Sequence, residues 1–189
     1  MEKPYTEIRW HARGGQGAKT AATLVAEMAI TEGKYSQGFP EYGPERMGAP
    51  IRGYTRIGEK PITVHCSIYN PDIVIVLDES LLETVDVCEG LGDQGTVIVN
   101  TKRSLDEIRG QLSCKNIQLH LIDANKIAQE EIGRAIPNAP MMGALSKVSG
   151  VVALESILKS IEKKFGKKFG AKIVEGNVRA IKRAYEEVA

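Results

Sequence analysis

Ile73-Val74-Ile75-Val76-Leu77 is an uninterrupted apolar run, four of its five residues β-branched, with Asp72 before it and Asp78-Glu79 after it. Side chains of a strand point alternately to opposite faces, so a run of this kind has to be covered on both. That places it inside a parallel sheet with helices on either side rather than in a half-wet antiparallel one. Two further segments repeat the pattern: Thr96 to Val99, ending at Asn100, and Ile117 to Ile122, ending at Asp123. Helical stretches follow at Ala124–Gly133, where Asp123 is placed to cap, and at Ala171–Glu187. A break at Pro137-Asn138-Ala139-Pro140 leads into an expected long apolar helix over Gly143–Ile161. Alternating strands and helices define an α/β chain, a three-layer α/β/α Rossmann-like domain with a mostly parallel sheet. With 189 residues the expectation is a single domain over 1–189. An antiparallel ribbon is expected beside the sheet, pairing Ile51–Ile57 with Ile62–Ser67 across Gly58-Glu59-Lys60-Pro61.

Ligands of such folds gather at the carboxyl ends of the strands. There the chain carries Arg13-Gly14-Gly15-Gln16-Gly17, between a strand at Thr6–Trp10 and a helix at Lys19–Thr31. A glycine turn feeding a helix N-terminus exposes backbone N–H groups suited to phosphate or another anion. The turn is neither standard phosphate motif. Arg13 and Ala18 stand at both glycine positions of a Walker A match that Lys19-Thr20 would complete, and Ala12 stands at the first glycine of the dinucleotide pattern. Two uses stay open: a tight strand-to-helix turn with close packing, or a ligand-facing loop in which Arg13 and Lys19 add charge and Gln16 a hydrogen bond.

A second candidate is Phe39-Pro40-Glu41-Tyr42-Gly43-Pro44-Glu45-Arg46-Met47-Gly48-Ala49-Pro50, within a Gly- and Pro-punctuated stretch from Tyr35 that reads as a long ordered loop or a short strand followed by one. Arg46 suits carboxylate or phosphate recognition; Glu45 suits either that site or an ordering ion pair. Asn138-Ala139-Pro140-Met141-Met142-Gly143 reads as a third loop whose methionines serve the core or another subunit. His11 borders the glycine turn and is a proton-transfer candidate beside its structural use; His65 next to Cys66 in an expected strand, and His120 in an apolar strand, read as structural. Asp78 and Asp123 fit helix capping or a ribose hydroxyl.

Lys and Arg number 25 against 24 Asp and Glu, so the chain lacks the positive field of a nucleic-acid binder. Only Lys159–Arg183 is locally basic, a solvated face or a dock for an acidic protein. Cys66, Cys88 and Cys114 fall in no CxxC grouping, which argues against a cluster or zinc site and fits free thiols in a reducing compartment. No apolar stretch approaches the roughly 20 residues of a membrane helix, and the N-terminus has no signal-like run. A soluble, cytoplasmic protein with neither nucleic acid nor membrane as partner is expected.

Ile8 to Thr20 together with Phe39 to Pro50 resembles the gamma subunit of pyruvate:ferredoxin oxidoreductase, within the 2-oxoacid:ferredoxin oxidoreductase family. Asn70-Pro71-Asp72, Asp78-Glu79-Ser80 and Asn138 to Gly143 extend the likeness, which runs from about Tyr5 to Tyr185. The resemblance implies a subunit, inactive alone, of an enzyme that oxidatively decarboxylates pyruvate with coenzyme A to acetyl-CoA, CO2 and reduced ferredoxin. It further implies that thiamine diphosphate, magnesium and iron–sulfur clusters are held by alpha, beta and delta partner subunits and none by this chain. Coenzyme A is then the cosubstrate, ferredoxin the electron acceptor, and Arg13, Gly14, Gly15, Gln16, Gly17 and Arg46 the residues facing the coenzyme A region. Met47 stands where many relatives have a second basic residue, which leaves Arg46 alone. A branched-chain 2-oxoacid enzyme and a purely structural assembly module are the alternatives; Ala12 argues against a self-sufficient nucleotide-binding oxidoreductase.

Overall fold

The computed structural model describes residues 3–41, 48–166 and 169–189. Six strands form one sheet: β1 (Tyr5–Arg13), β2 (Tyr35–Pro40), β3 (Pro50–Gly58), β4 (Ile73–Val76), β5 (Thr96–Asn100) and β6 (Gln118–Ile122), in the order β2-β3-β1-β4-β5-β6. β1, β4, β5 and β6 run parallel, while β3 is antiparallel to β1 and β2 antiparallel to β3. The apolar run that defines β4 lies between β1 and β5, with Ile73 opposite Ile8 on one side and Thr96 on the other.

Both faces of β4 are covered. Ile73, Ile75 and Leu77 join a core with α1 (Ala18–Thr31), α3 (Ala124–Ile132), α4 (Asn138–Ser149), α5 (Leu154–Phe165) and α6 (Ala171–Glu187). Val74 and Val76 face the other way, into a smaller cluster with Val97, Val99 and Leu119. Its cover comes from the segment carrying Val87 and Cys88 and from α2 (Leu105–Gln111) through Ile108. Each fully buried aliphatic side chain contributes about 1.5–3 kcal/mol. The result is the expected α/β/α arrangement, with a thick helical layer on one face and a thin one on the other.

Alanines let α1 lie close to the ribbon. A Cβ on Gly38 of β2 would stand 2.7 Å from the Ala22 carbonyl oxygen and 2.8 Å from the Ala26 Cβ. Glycine is therefore required there by helix-on-strand contact, and Tyr35–Pro40 is an edge strand despite its loop-like composition.

The ribbon differs from expectation in its partner. β3 pairs with β2, Tyr35 opposite Gly58 and Pro40 opposite Gly53, and residues 61–67 form no strand. The long helix expected over Gly143–Ile161 is two helices, α4 ending where Gly150 takes the left-handed conformation at φ 63°. The 138–143 segment is helical rather than a loop, since prolines are tolerated in a first turn whose N–H groups have no intrahelical acceptor. α2 lacks a long apolar periodicity; its sequence signal is the capping box in which Ser104 and Glu107 bond each other's backbone N–H.

The second face of β1 and β3 is polar and nevertheless buried. Glu7, Arg9 and Arg56 are at most 8% exposed, beneath residues 64–67 and 87–89. Arg56 Nε donates to Glu7 at 2.8 Å and its NH2 to the Cys66 carbonyl at 2.7 Å. Arg9 NH2 donates to the Val87 and Glu89 carbonyls at 3.0 and 2.5 Å. Cys88 and Cys114, expected as separate thiols, form a disulfide across 26 residues. In the chain-entropy view, closing a loop of that size stabilises the fold by roughly 3 kcal/mol. Cys66 is free and exposed.

Candidate functional site

β1 and β4 are parallel neighbours whose chains depart to opposite faces: β1 into α1 on the thick side, β4 into the segment that carries Val87 on the thin side. A crevice opens at the carboxyl ends of strands that diverge in this way. The glycine turn occupies it. Gly15 and Gly17 take φ 98° and 82°, which L side chains rarely adopt, and Gly17 is the N-cap of α1.

The turn is fastened from both sides. The Gln16 side chain spans it: Oε1 accepts the Arg13 backbone N–H at 2.8 Å, and Nε2 donates to Asp78 at 2.6 Å. Arg13 Nε donates to the Ser80 hydroxyl at 2.9 Å, and its NH1 to the Gly48 carbonyl at 3.1 Å. Gly14 N–H reaches the Ala49 carbonyl at 2.9 Å, so the turn also carries the end of the second candidate loop. Arg46 and Glu45 of that loop lie outside the described residues.

Asp78 serves as a cap and a brace. It accepts the Ser80 N–H at 3.0 Å and the Ser80 hydroxyl at 2.5 Å. Burial would raise its carboxyl, but the bonds from Ser80 and Gln16 and the charge of Arg13 outweigh it and hold the group below the ordinary carboxylate range. Asp123 likewise caps α3 through the Lys126 N–H at 3.0 Å. Asn100 completes the strand edge, donating to the Leu77 carbonyl at 2.8 Å and accepting from the Asn125 N–H at 3.2 Å.

Sequence reasoning kept the glycine turn and the 138–143 segment apart; the fold joins them. A Cβ on Gly17 would lie 2.6 Å from Asn138 Nδ2, so the N-termini of α1 and α4 meet there. Neither start has a hydrogen bond from its own N-cap side chain, the caps being Gly17 and Pro137. Two converging helix N-termini place partial positive charge on one spot, which favours an anion.

His11 is not available as a general base. It is 2% exposed, and its Nε2 accepts the Arg9 Nε at 3.0 Å, which requires the neutral ring. Burial first, then the charges of Arg9 and Arg52, lowers its pKa to about 3. The unfolded chain binds this proton below an ordinary value of 6.5 and the folded chain only near 3, so stability is lost as pH falls through that window. The expected slope is about 1.4 kcal/mol per pH unit. Urea unfolding between these limits should show it in the native protein and lose it in His11→Gln, which keeps an acceptor for Arg9. Equal slopes in the two proteins would remove His11 from the acid response.

His120, on the edge strand β6, donates its Nδ1–H to the Ala189 carbonyl oxygen at 3.2 Å, and His65 lies in the strandless segment next to Cys66. Among the described residues no group of three or more His, Cys, Asp or Glu side chains converges to hold a metal, and no helix is long and apolar enough to cross a membrane.

The fold and this turn define an α/β domain with a glycine turn at a switch point of its sheet, and among the described residues no catalytic pair is recognisable. Residues 7–187 match the family described as pyruvate ferredoxin/flavodoxin oxidoreductase. The chain is 50% identical over 188 residues to the pyruvate synthase subunit PorC of Thermotoga maritima, covering 100% of this chain and 97% of that one. It is 49% identical over 181 residues to the pyruvate/ketoisovalerate oxidoreductases common subunit gamma of Pyrococcus furiosus, covering 96% of each. The crystal structure of the pyruvate oxidoreductase subunit PORC from Thermotoga maritima superposes with a TM-score of 0.88 at 45% identity, over 99% of this chain and 98% of that one. The chain belongs to this family, as a gamma subunit of the 2-oxoacid:ferredoxin oxidoreductases.

Proposed function

We propose that this chain is the gamma subunit of a pyruvate:ferredoxin oxidoreductase and that its glycine turn helps seat coenzyme A for transfer of the acetyl group. The observation that carries the proposal is the meeting of the α1 and α4 N-termini at Gly17 and Asn138, with Arg13 fixed beside them. Coenzyme A is rich in phosphate, and such a surface recognises phosphate through backbone N–H groups and helix dipoles. Arg13, Gly14, Gly15, Gln16 and Gly17 form this part of the site; Arg46, outside the described residues, is assigned to it on the family resemblance.

Alpha, beta and delta subunits are the proposed partners, with ferredoxin accepting the electrons in the cytoplasm. Thiamine diphosphate with magnesium supplies the carbanion stabilisation and iron–sulfur clusters the electron path, all held by those partners. The residues of the turn fit an anion rather than a cluster, because they offer N–H donors and no thiolate, while Cys88 and Cys114 are bonded to each other.

Copurification from the native assembly tests the subunit assignment: an active, cofactor-containing single chain would overturn it. For the turn, Arg13→Met and Gln16→Ala in the assembled enzyme should each raise the KM for coenzyme A about tenfold, the loss of roughly 1.4 kcal/mol of binding, while the KM for pyruvate holds. An unchanged KM for coenzyme A in both variants would leave the turn a structural element. A second reading is favoured by the relative from Pyrococcus furiosus, whose name gives it to pyruvate and ketoisovalerate enzymes alike. Under that reading this chain copurifies with two different catalytic sets.

A further inference from the structure

Cys88 sits in a strap, residues 84–91, that runs over the polar face of β1, and Cys114 sits just beyond α2, with their Cα atoms 5.7 Å apart. Asp86 joins the same two segments: it accepts the Cys88 N–H at 3.0 Å within the strap and the Ser113 hydroxyl at 2.7 Å from across. The strap in turn holds Arg9, whose NH2 donates to the carbonyls of Val87 and Glu89, the residues on either side of Cys88. Arg52 adds an ion pair to Glu89 at 3.6 Å. A cleft of about 410 Å³, lined by Leu82 to Val87 and Gln111 to Ser113, opens against the residues that precede each cysteine, and Cys114 itself is only half-buried, which exposes the pair to a small thiol reagent from that side.

We propose that Cys88 and Cys114 are a reversible dithiol–disulfide couple that fastens the strap when oxidised and frees it when reduced. Arg9 is the element through which the change reaches the site. It is buried, its seat is made of strap carbonyls, and its Nε bonds His11 two residues before the Arg13 turn. A loosened strap withdraws the acceptors of a buried cation at the base of that strand end.

The oxidant is a low-molecular-weight disulfide. One cysteine thiolate attacks it, forming a mixed disulfide and expelling one small thiolate; the second protein thiolate attacks the protein-bound sulfur, closing Cys88–Cys114 and expelling the other. Two electrons pass from the protein sulfurs to the small disulfide, and the two protons lost by the cysteines end on the expelled thiols. Reduction by a small thiol runs the same steps backward.

The test uses the full chain in a Cys66→Ser background, equilibrated in buffers of oxidised and reduced glutathione. Alkylation followed by mass spectrometry should show both thiols blocked together in reducing buffer and neither in oxidising buffer. Hydrogen exchange at the bonded amides of Cys88 and Leu91 should speed up about tenfold or more on reduction, with the β4 and β5 amides unchanged. Cys114→Ser should exchange at the fast rate in both buffers. Two freely alkylating thiols in the oxidising buffer would overturn the proposal. So would a disulfide whose reduction leaves the Cys88 and Leu91 amides as protected as before.

Discussion

Arg56→Met is expected to destabilise the chain by about 3–5 kcal/mol, the usual cost of removing one partner from a buried ion pair. Arg56 is 1% exposed and meets Glu7, itself 8% exposed, at 2.8 Å. The same guanidinium donates to the carbonyls of Cys66 and Ser67 and to Gln37, and it lies over the Phe39 ring at 5.6 Å. Methionine fills much of the volume and supplies none of these donors. Among the described residues Glu7 keeps Lys3 as its charged partner, half-exposed at 3.2 Å, and the backbone of 64–67 loses what orders it. Arg56→Lys should recover little, because one ammonium cannot reproduce a planar fork that faces a carboxylate and three carbonyls. Adding Glu7→Gln to Arg56→Met should recover about 1–2 kcal/mol by removing the orphaned charge, and no more, since the carbonyls stay unmet. Urea midpoints measure each step, and limited proteolysis between 59 and 70 should quicken with the first. A loss near 0.5 kcal/mol, the scale of a surface change, would mean that this polar layer does not hold the segment in place.

That layer shows where sequence pattern stops being informative. In β1 the residues Ile8, Trp10 and Ala12 alternate with Glu7, Arg9 and His11, which reads as a strand with one dry face and one wet face. The wet face is covered because Arg9 and Arg56 reach the carbonyls of distant segments, and no local period encodes such a bond. The run at 73–77 needed no such information, since its composition alone demands two-sided cover. The ribbon went astray for a related reason. Ile62–Ser67 has strand-like residues at hairpin spacing, but its carbonyls are drawn to Arg56, and β3 takes β2 instead because Gly38 lets α1 pack on that strand. Cys88 and Cys114 stand 26 residues apart, beyond the reach of any spacing rule for paired cysteines. Of the candidate site, the glycine turn was legible because glycine is itself the signal for positive φ. Its companion, the start of α4, was hidden behind two prolines that read as a break and are instead the N-cap, Pro137, and a first-turn residue, Pro140, of a helix.

The contact between those two parts yields the other large effect. Gly15 and Gly17 both have positive φ, 98° and 82°, but they differ in what surrounds them. A Cβ at position 15 meets nothing within 4 Å, whereas at position 17 it would stand 2.6 Å from Asn138 Nδ2, 2.9 Å from its Cγ and 3.1 Å from its Cβ. Gly15→Ala should therefore show the conformational cost alone, about 1–2 kcal/mol for an L residue in the left-handed region. Gly17→Ala adds the displacement of α4 from α1, and overpacking of this kind brings the expected total to about 2–4 kcal/mol. Asn138→Ala by itself loses the acceptor for the Ala139 N–H, a modest cost of about 1 kcal/mol. In the Gly17→Ala background it removes the two shortest contacts, so the double variant should be more stable than the sum of the singles by about 0.5–2 kcal/mol. The functional readout separates the two glycines again. If both helix N-termini seat coenzyme A, Gly17→Ala in the assembled enzyme weakens coenzyme A more than Gly15→Ala does, and Asn138→Ala added to it restores part of the loss. Equal effects of the two glycine variants on the KM for coenzyme A would place the ligand on the turn alone and leave α4 a packing partner.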